Sequence, residues 1–310
     1  MILVCGETLI DLVHEDGELW RALPGGSPAN TAVALARLST STAMLARISA
    51  DAFGVRLRDR LVGDGVDVRY VVTAAEQSSM AVVDLDDDGR ARYSFYLRET
   101  ADWQWVTNDL PVAFDPSVTA IHAGSMALLM PPGGVVLEAM LERERWQRVV
   151  SIDPNVRASI CPDPRVYGAA VERWLRLAHI VKASVDDVSW LYPDRSHAEV
   201  LADWASRGPS LVVFTASADG AMARLPSGLE VSVGGIDVEV VDTIGAGDTF
   251  TAGLLHALDE AGSLSVAALA QLTAEQVEEA LRFAVLVSAV ACTRAGSDPP
   301  YLTDLPALGH

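Results

Sequence analysis

The stretch DTIGAGDTF, Asp242–Phe250, sets two glycines, an alanine and a second aspartate between two differently patterned segments. Upstream, Val238 to Val241 is apolar and β-branched apart from Glu239, as a buried strand requires. Downstream, Thr249 to Leu258 has the small and apolar spacing of a helix packed on a sheet. Gly245, Ala246, Gly247 and Asp248 are therefore predicted at a helix N-terminus, where free N–H groups and the helix dipole form an anion pocket and small side chains admit a phosphate. A carboxylate beside such a pocket repels the anion unless it has other work. The work that fits Asp248 is accepting a proton from a hydroxyl as its oxygen attacks a phosphoryl group. Taken alone, the same residues also read as a tight turn and a cap.

Outward from this stretch, short β-rich runs alternate with helical patterns, which is the signature of an α/β fold with a mostly parallel sheet and crossover helices. Strands are predicted at Ile2 to Val4, Thr42 to Ile48, near Ala120, and at Val149 to Ile152, His179 to Lys182, Leu211 to Thr215 and Val238 to Val241. Helices are predicted over Pro28 to Leu38, with Ser27 as N-cap, and over Phe53 to Asp64. One segment breaks the rhythm. Met80 to Leu97 holds two β-like runs around Asp88-Gly89, a dipeptide suited to a hairpin turn. Ala91, Tyr93, Phe95 and Leu97 alternate with Arg90, Arg92, Ser94 and Tyr96, one face packed and one wet. With Leu9 to Val13 and Leu19 to Leu23, this predicts a small β-sheet lid, formed by about 9–24 and 78–100 and inserted in a single domain spanning 1–310.

A second site lies in PGGSPANTAVALARL, Pro24 to Leu38. Gly25 and Gly26 permit a tight turn before a helix, and Asn30 projects a two-sided amide from its first turn. Asp11, read as the end of the first strand, lies where an open α/β sheet presents side chains to ligands. An Asp and an Asn beside glycine backbone suit adjacent sugar hydroxyls; they suit a structural turn equally well.

The formal charge of −19 over 310 residues argues against a nucleic-acid partner. An anionic ligand would then need local positive potential, which a helix N-terminus supplies. Apolar runs are broken well before the ~20 residues that cross a bilayer, so no membrane association is expected, and MILVCGETLIDLV reads as a buried strand, not a signal peptide; a cytoplasmic protein is the expectation. Cys5, Cys161 and Cys292 are widely spaced and read as buried thiols.

Together the two stretches resemble the signatures of the PfkB, or ribokinase-like, family of carbohydrate kinases, with GGSPAN at its GG-x-x-x-N and DTIGAGD at its DT-x-GAGD. The resemblance implies a three-layer α/β/α core, ATP as phosphoryl donor, Asp248 as catalytic base and Gly245, Ala246 and Gly247 as the anion hole. It implies sugar contacts from Asp11, Gly25, Gly26 and Asn30. Lys182 to Asp187 resembles the N-x-x-E region, with Ser184 at the Asn position and Asp187 at the Glu position, acting on Mg2+ through water; a helix N-cap and a first-turn acid account for these two as well. Thr215, Ser217 and Gly220 fall in the place of the nucleotide loop T-x-G-x-x-G, with Ser217 replacing its first glycine. A K+-like ion is implied beside Asp242 and Ile244, with carbonyls of Thr293 and Gly296.

Substrate choice falls to Tyr93, Phe95, Tyr96, Arg98 and the loop DPNVR ending at Arg157, whose wording is similar to fructokinases. D-fructose, phosphorylated at its terminal hydroxymethyl, is the expected substrate. A 2-keto-3-deoxygluconate kinase is the alternative, its acidic substrate pairing with an arginine. An inactive sugar or nucleotide sensor is a further alternative, and an oxidoreductase is disfavoured because no G-x-G-x-x-G follows the first strand. An exposed lid face also predicts a homodimer.

Overall fold

A computed structural model describes residues 1–15, 17–85 and 91–306, and the side chains within these except 84, 85 and 91–93. The chain opens with β1 (Ile2–Cys5), leaves the core for β2 (Leu9–His14) and β3 (Trp20–Gly25), and returns as helix α1 (Ser27–Arg37). It continues through β4 (Thr42–Leu45), β5 (Arg47–Ser49), α2 (Ala52–Gly63), β6 (Val72–Ala74), β7 (Met80–Leu85) and β8 (Ala91–Tyr96). The middle third holds β9 (Ala120–Gly124), α3 (Ser125–Leu129), α4 (Gly133–Glu144), β10 (Val149–Asp153) and α5 (Pro164–Leu177). The rest comprises β11 (Ile180–Ser184), α6 (Val185–Leu191), α7 (His197–Ala205), β12 (Leu211–Thr215), β13 (Ala221–Arg224), β14 (Glu230–Val233), α8 (Ala246–Glu260), α9 (Val266–Leu269) and α10 (Ala274–Cys292).

Eight strands form the central sheet in the order β14-β13-β12-β11-β10-β9-β1-β4. Pairing is parallel from β4 to β12 and antiparallel across β12-β13-β14. β1, β9 and β10 are wholly buried, consistent with a parallel sheet covered on both faces. One apolar cluster joins α1, α8 and α10 to one face, and a second joins α4, α5 and α7 to the other, giving three layers. The chain steps from β1 to β4 on one side and later to β9 on the other. This reversal opens a crevice at the carboxyl ends of β1 and β9, where open α/β sheets bind ligands.

A separate sheet of order β3-β2-β7-β8 stands beyond that crevice. It corresponds to the expected lid, although Asp88-Gly89 lies outside the described residues, as does the side chain of Tyr93.

Four expectations are corrected. Asp11 lies in lid strand β2, because the core strand ends at Cys5 and Gly6 redirects the chain. Thr42 to Ile48 is two strands, β5 leaving the main sheet to pair with β6. Val238 to Val241 is not a strand; it is held at its end by Val241 and Asp242 N–H groups donating to the Cys292 carbonyl at the end of α10. Ser27 is the first residue of α1, and the N-cap is Gly26 at φ 102, a backbone conformation for which glycine has no Cβ penalty.

Candidate active site

Helix α8 begins where the sequence predicts, with Gly245 as its N-cap in the left-handed region at φ 76. A Cβ there would collide with the Ser297 side chain, so the close approach of the 296–297 turn is a second reason for glycine. The Ala246 N–H donates to the Thr243 carbonyl at 3.2 Å, the next N–H groups of the first turn have no acceptor within the helix, and Gly245 and Asp248, though not Ala246 or Gly247, line a cavity of about 390 Å³. Asp11, Asn30, Phe95, Arg157, Gly245 and Asp248 line it, with Glu7 at its floor.

Asp248 is buried where α1 packs on α8. Its Oδ1 accepts a hydrogen bond from Ser27 Oγ at 2.7 Å and its Oδ2 one from Asn30 Nδ2 at 3.0 Å. Burial raises its carboxyl above the ordinary range, opposed by these two donors and by the charges of Lys182 and Arg157. Asn30 spends its amide on Asp248, and its Oδ1 is buried without a partner among the described residues. Asp11 is pushed up to about 6, chiefly by burial, against the pull of Arg157 and Arg60. Gly25 backbone lies directly against the Asp11 carboxylate, too close for a Cβ.

The loop after β10 reaches the same place. Arg157 Nη1 donates to Asn155 Oδ1 at 2.6 Å, and Asn155 Nδ2 donates to Ser27 Oγ at 2.8 Å. Lys182, in β11, pairs with Asp153 at 2.8 Å with both side chains buried; burial alone would lower the ammonium's pKa, but the Asp153 carboxylate carries it upward. A Cβ on Gly247 would lie 3.1 Å from Lys182 Nζ, which sets this cation beside the start of α8. Asp187 accepts from Val156 N at 3.0 Å and forms a capping box with Ser184 at the head of α6; burial, then Asp153, raises its carboxyl.

The remaining predicted residues are less tightly gathered. Tyr96 is 58 % exposed and Arg98 is exposed, and neither lines the cavity. Thr215 ends β12, and Ser217 and Gly220 lie in the loop from β12 to β13, all outside the cavity. Ser217 takes φ 48, a conformation in which a glycine would be unstrained. Asp242 bridges two turns: its Oδ1 accepts from Ile244 N at 3.0 Å and its Oδ2 from Gly296 N at 2.8 Å. Thr293, at the end of α10, turns its hydroxyl back to the Val290 carbonyl. Among the described residues no group of three or more His, Cys, Asp or Glu is placed to hold a metal ion.

Three more residues line or brace this site: Glu7, which the sequence does not single out, Ser27, which it marks only as a cap, and Asn155, which it marks only within the DPNVR loop. Glu7 is wholly buried at the end of β1, where its Oε2 accepts from Ala127 N at 3.2 Å and burial pushes its carboxyl up to about 7. An acid inside the apolar opening run was the available signal.

A doubly wound core, a separate small β-sheet and a buried acid at a helix N-terminus meet at this crevice. The sequence pattern of the pfkB family of carbohydrate kinases matches residues 1–304, and the chain belongs to that family. It is 37% identical over 286 residues to a fructokinase of Rhizobium leguminosarum bv. trifolii, covering 91% of this chain and 86% of the relative. Fructokinase from Xylella fastidiosa with bound ATP superposes with a TM-score of 0.87 at 27% identity, over 98% of this chain and 94% of that one. Fructokinase from Vibrio cholerae O395, with fructose, ADP and calcium ion bound, superposes with a TM-score of 0.80 at 30% identity, over 96% of this chain and 94% of that one. Among the described residues, no helix is long and apolar enough to cross a membrane.

Proposed function

We propose that this carbohydrate kinase transfers the γ-phosphoryl group of ATP to the terminal hydroxymethyl of D-fructose. The observation that carries the reading is the position of Asp248: its carboxylate faces the cavity from the first turn of α8, held by two donors of α1. The hydroxymethyl oxygen gives its proton to Asp248 as it attacks the γ-phosphorus. The bond from that phosphorus to the bridging oxygen breaks, and ADP leaves with the electron pair. First-turn N–H groups of α8 and the Lys182 ammonium offset the charge on the moving phosphoryl. Asp11 and the open Oδ1 of Asn30 hold other hydroxyls, and Phe95 covers the sugar from the lid. The fructokinase relatives support fructose as the acceptor.

Two ions accompany the reading. A divalent cation such as Mg2+ is assigned to Asp187, through water, where it would neutralise the charge of the nucleotide phosphates; the neighbouring Asp153 is taken up by Lys182. K+ is assigned to Asp242 with the carbonyls of Ile244, Thr293 and Gly296, hard oxygens that suit it, although both Asp242 oxygens accept backbone N–H groups here, those of Ile244 and Gly296. Arg157 in the cavity favours 2-keto-3-deoxygluconate as the second reading, since a guanidinium pairs well with a carboxylate. The test is ADP release over fructose, 2-keto-3-deoxygluconate, ribose and tagatose. Turnover on fructose with the highest kcat/KM is expected; turnover on another sugar with none on fructose overturns the assignment.

A further inference from the structure

We infer that Ser27 and Asn155 are positioning residues that hold the Asp248 carboxylate oriented and ionised, at the end of a one-way chain of hydrogen bonds that begins at the Arg157 guanidinium. The inference rests on reading Asp248 as the base. Three contacts make the chain: Arg157 Nη1 to Asn155 Oδ1 at 2.6 Å, Asn155 Nδ2 to Ser27 Oγ at 2.8 Å, and Ser27 Oγ to Asp248 Oδ1 at 2.7 Å. Their polarity is fixed by chemistry. Arginine only donates, so the Asn155 oxygen faces it and the Asn155 amide faces Ser27. Ser27 accepts from that amide, which leaves its single proton for Asp248. Every donor thus points toward the carboxylate, and bonds aligned head to tail polarise one another.

The geometry is built for this purpose from distant parts of the chain. Ser27 occupies the first position of α1, where a serine usually faces solvent; here it is turned onto a residue 221 positions away. Asn155 takes φ 41, a conformation that asparagine tolerates better than most residues. Its backbone N–H donates to Asp153 Oδ1 at 3.0 Å, Asp153 is tied to Lys182 at 2.8 Å, and Val156 N–H donates to Asp187 at 3.0 Å. The loop carrying the chain is thereby pinned to β11 and α6.

The charged groups facing Asp248 are Lys182 from β11, Arg157 from the loop and Asp11 from the lid, with Asp153 and Asp187 behind Lys182. Burial favours the protonated acid, and the Ser27 hydroxyl acts against it. Losing that donor moves the ionisation of the base upward.

The experiment compares pH profiles of kcat/KM for fructose at saturating ATP in the full-length wild type, Ser27→Ala, Ser27→Thr and Asn155→Gly, with Asp248→Asn as control. Ser27→Ala is expected to move the acid limb up by about one pH unit, a roughly tenfold loss on the limb that is recovered at high pH. Ser27→Thr restores the limb, and Asn155→Gly, which keeps the backbone conformation, moves it the same way by less. KM for ATP stays within twofold in all three. An unshifted limb in Ser27→Ala, or a loss equal at every pH, overturns the inference. If Ser27→Ala does not fold, Asn155→Gly decides the question by the same criterion. Full turnover in Asp248→Asn sinks the base assignment itself, whereas an inactive Asp248→Asn beside an unshifted Ser27→Ala sinks only the chain.

Discussion

Replacing Asp248 by asparagine removes the base while changing the packing little, and the local geometry fixes how much should be lost. Both carboxylate oxygens now accept, one from Ser27 Oγ and one from Asn30 Nδ2. A carboxamide offers one oxygen and one NH2. Asn30 can only donate with the group it presents, so the new oxygen turns toward Asn30 and the new NH2 toward Ser27, whose hydroxyl rotates to accept. The mismatch left on Ser27 costs about 1 kcal/mol, partly offset because a neutral amide escapes the burial cost of the carboxylate. The fold and the sugar contacts should survive. What is lost is proton transfer, about 10²- to 10⁴-fold in kcat, or roughly 3–5 kcal/mol of barrier. A coupled ADP-release assay gives kcat, and calorimetric titration with fructose gives affinity, expected within fivefold of wild type. A variant whose kcat stays within tenfold of wild type would refute the reasoning.

Two buried charges lead to further expectations. Glu7 has its folded pKa raised to about 7 from an ordinary 4.5, so the native state binds the extra proton and wild-type stability falls as pH rises between those values. Glu7→Gln keeps an oxygen for Ala127 N–H, and its stability relative to wild type should grow by up to about 3 kcal/mol from pH 4.5 to pH 8 in urea titrations; a pH-independent difference would show that Glu7 is not a strained acid. Lys182→Met leaves the Asp153 carboxylate buried and unpaired, and should cost about 3–5 kcal/mol in denaturant titrations. Adding Asp153→Asn should restore most of that stability but not turnover; a double variant as unstable as Lys182→Met would refute the pairing argument.

The contrast between what the sequence revealed and what it hid has a physical basis. Gly245 to Asp248 could be read because a helix start is a local event, set by glycines and by the small-residue spacing that follows. The lid was legible for the same reason, as period-two alternation marks a half-exposed strand. Val238 to Val241 misled because β-branched apolar residues suit any extended backbone, and only a neighbouring strand makes a strand of it; here the neighbour is the end of α10. Ser27 was read as a cap because a serine before Pro28 ordinarily is one. The partner that reassigns it, Asp248, arrives only when α1 packs on α8. Asp11 was placed at the end of the core strand because nothing local announces that the chain departs at Gly6. Glu7 carries no local signal of its partner because its environment is assembled from the turn after β1 and from α3, more than a hundred residues apart.

The central claim is a meeting of three groups at the head of α8: a carboxylate, an alcohol and the phosphoryl in transit. A crystal structure with fructose and a non-hydrolysable ATP analogue tests it most directly. The terminal hydroxymethyl oxygen should lie about 3 Å from an Asp248 carboxylate oxygen, with the γ-phosphate against the backbone N–H groups of Gly245 to Gly247. A sugar bound with that oxygen pointing away from Asp248, or a γ-phosphate seated elsewhere, would contradict it.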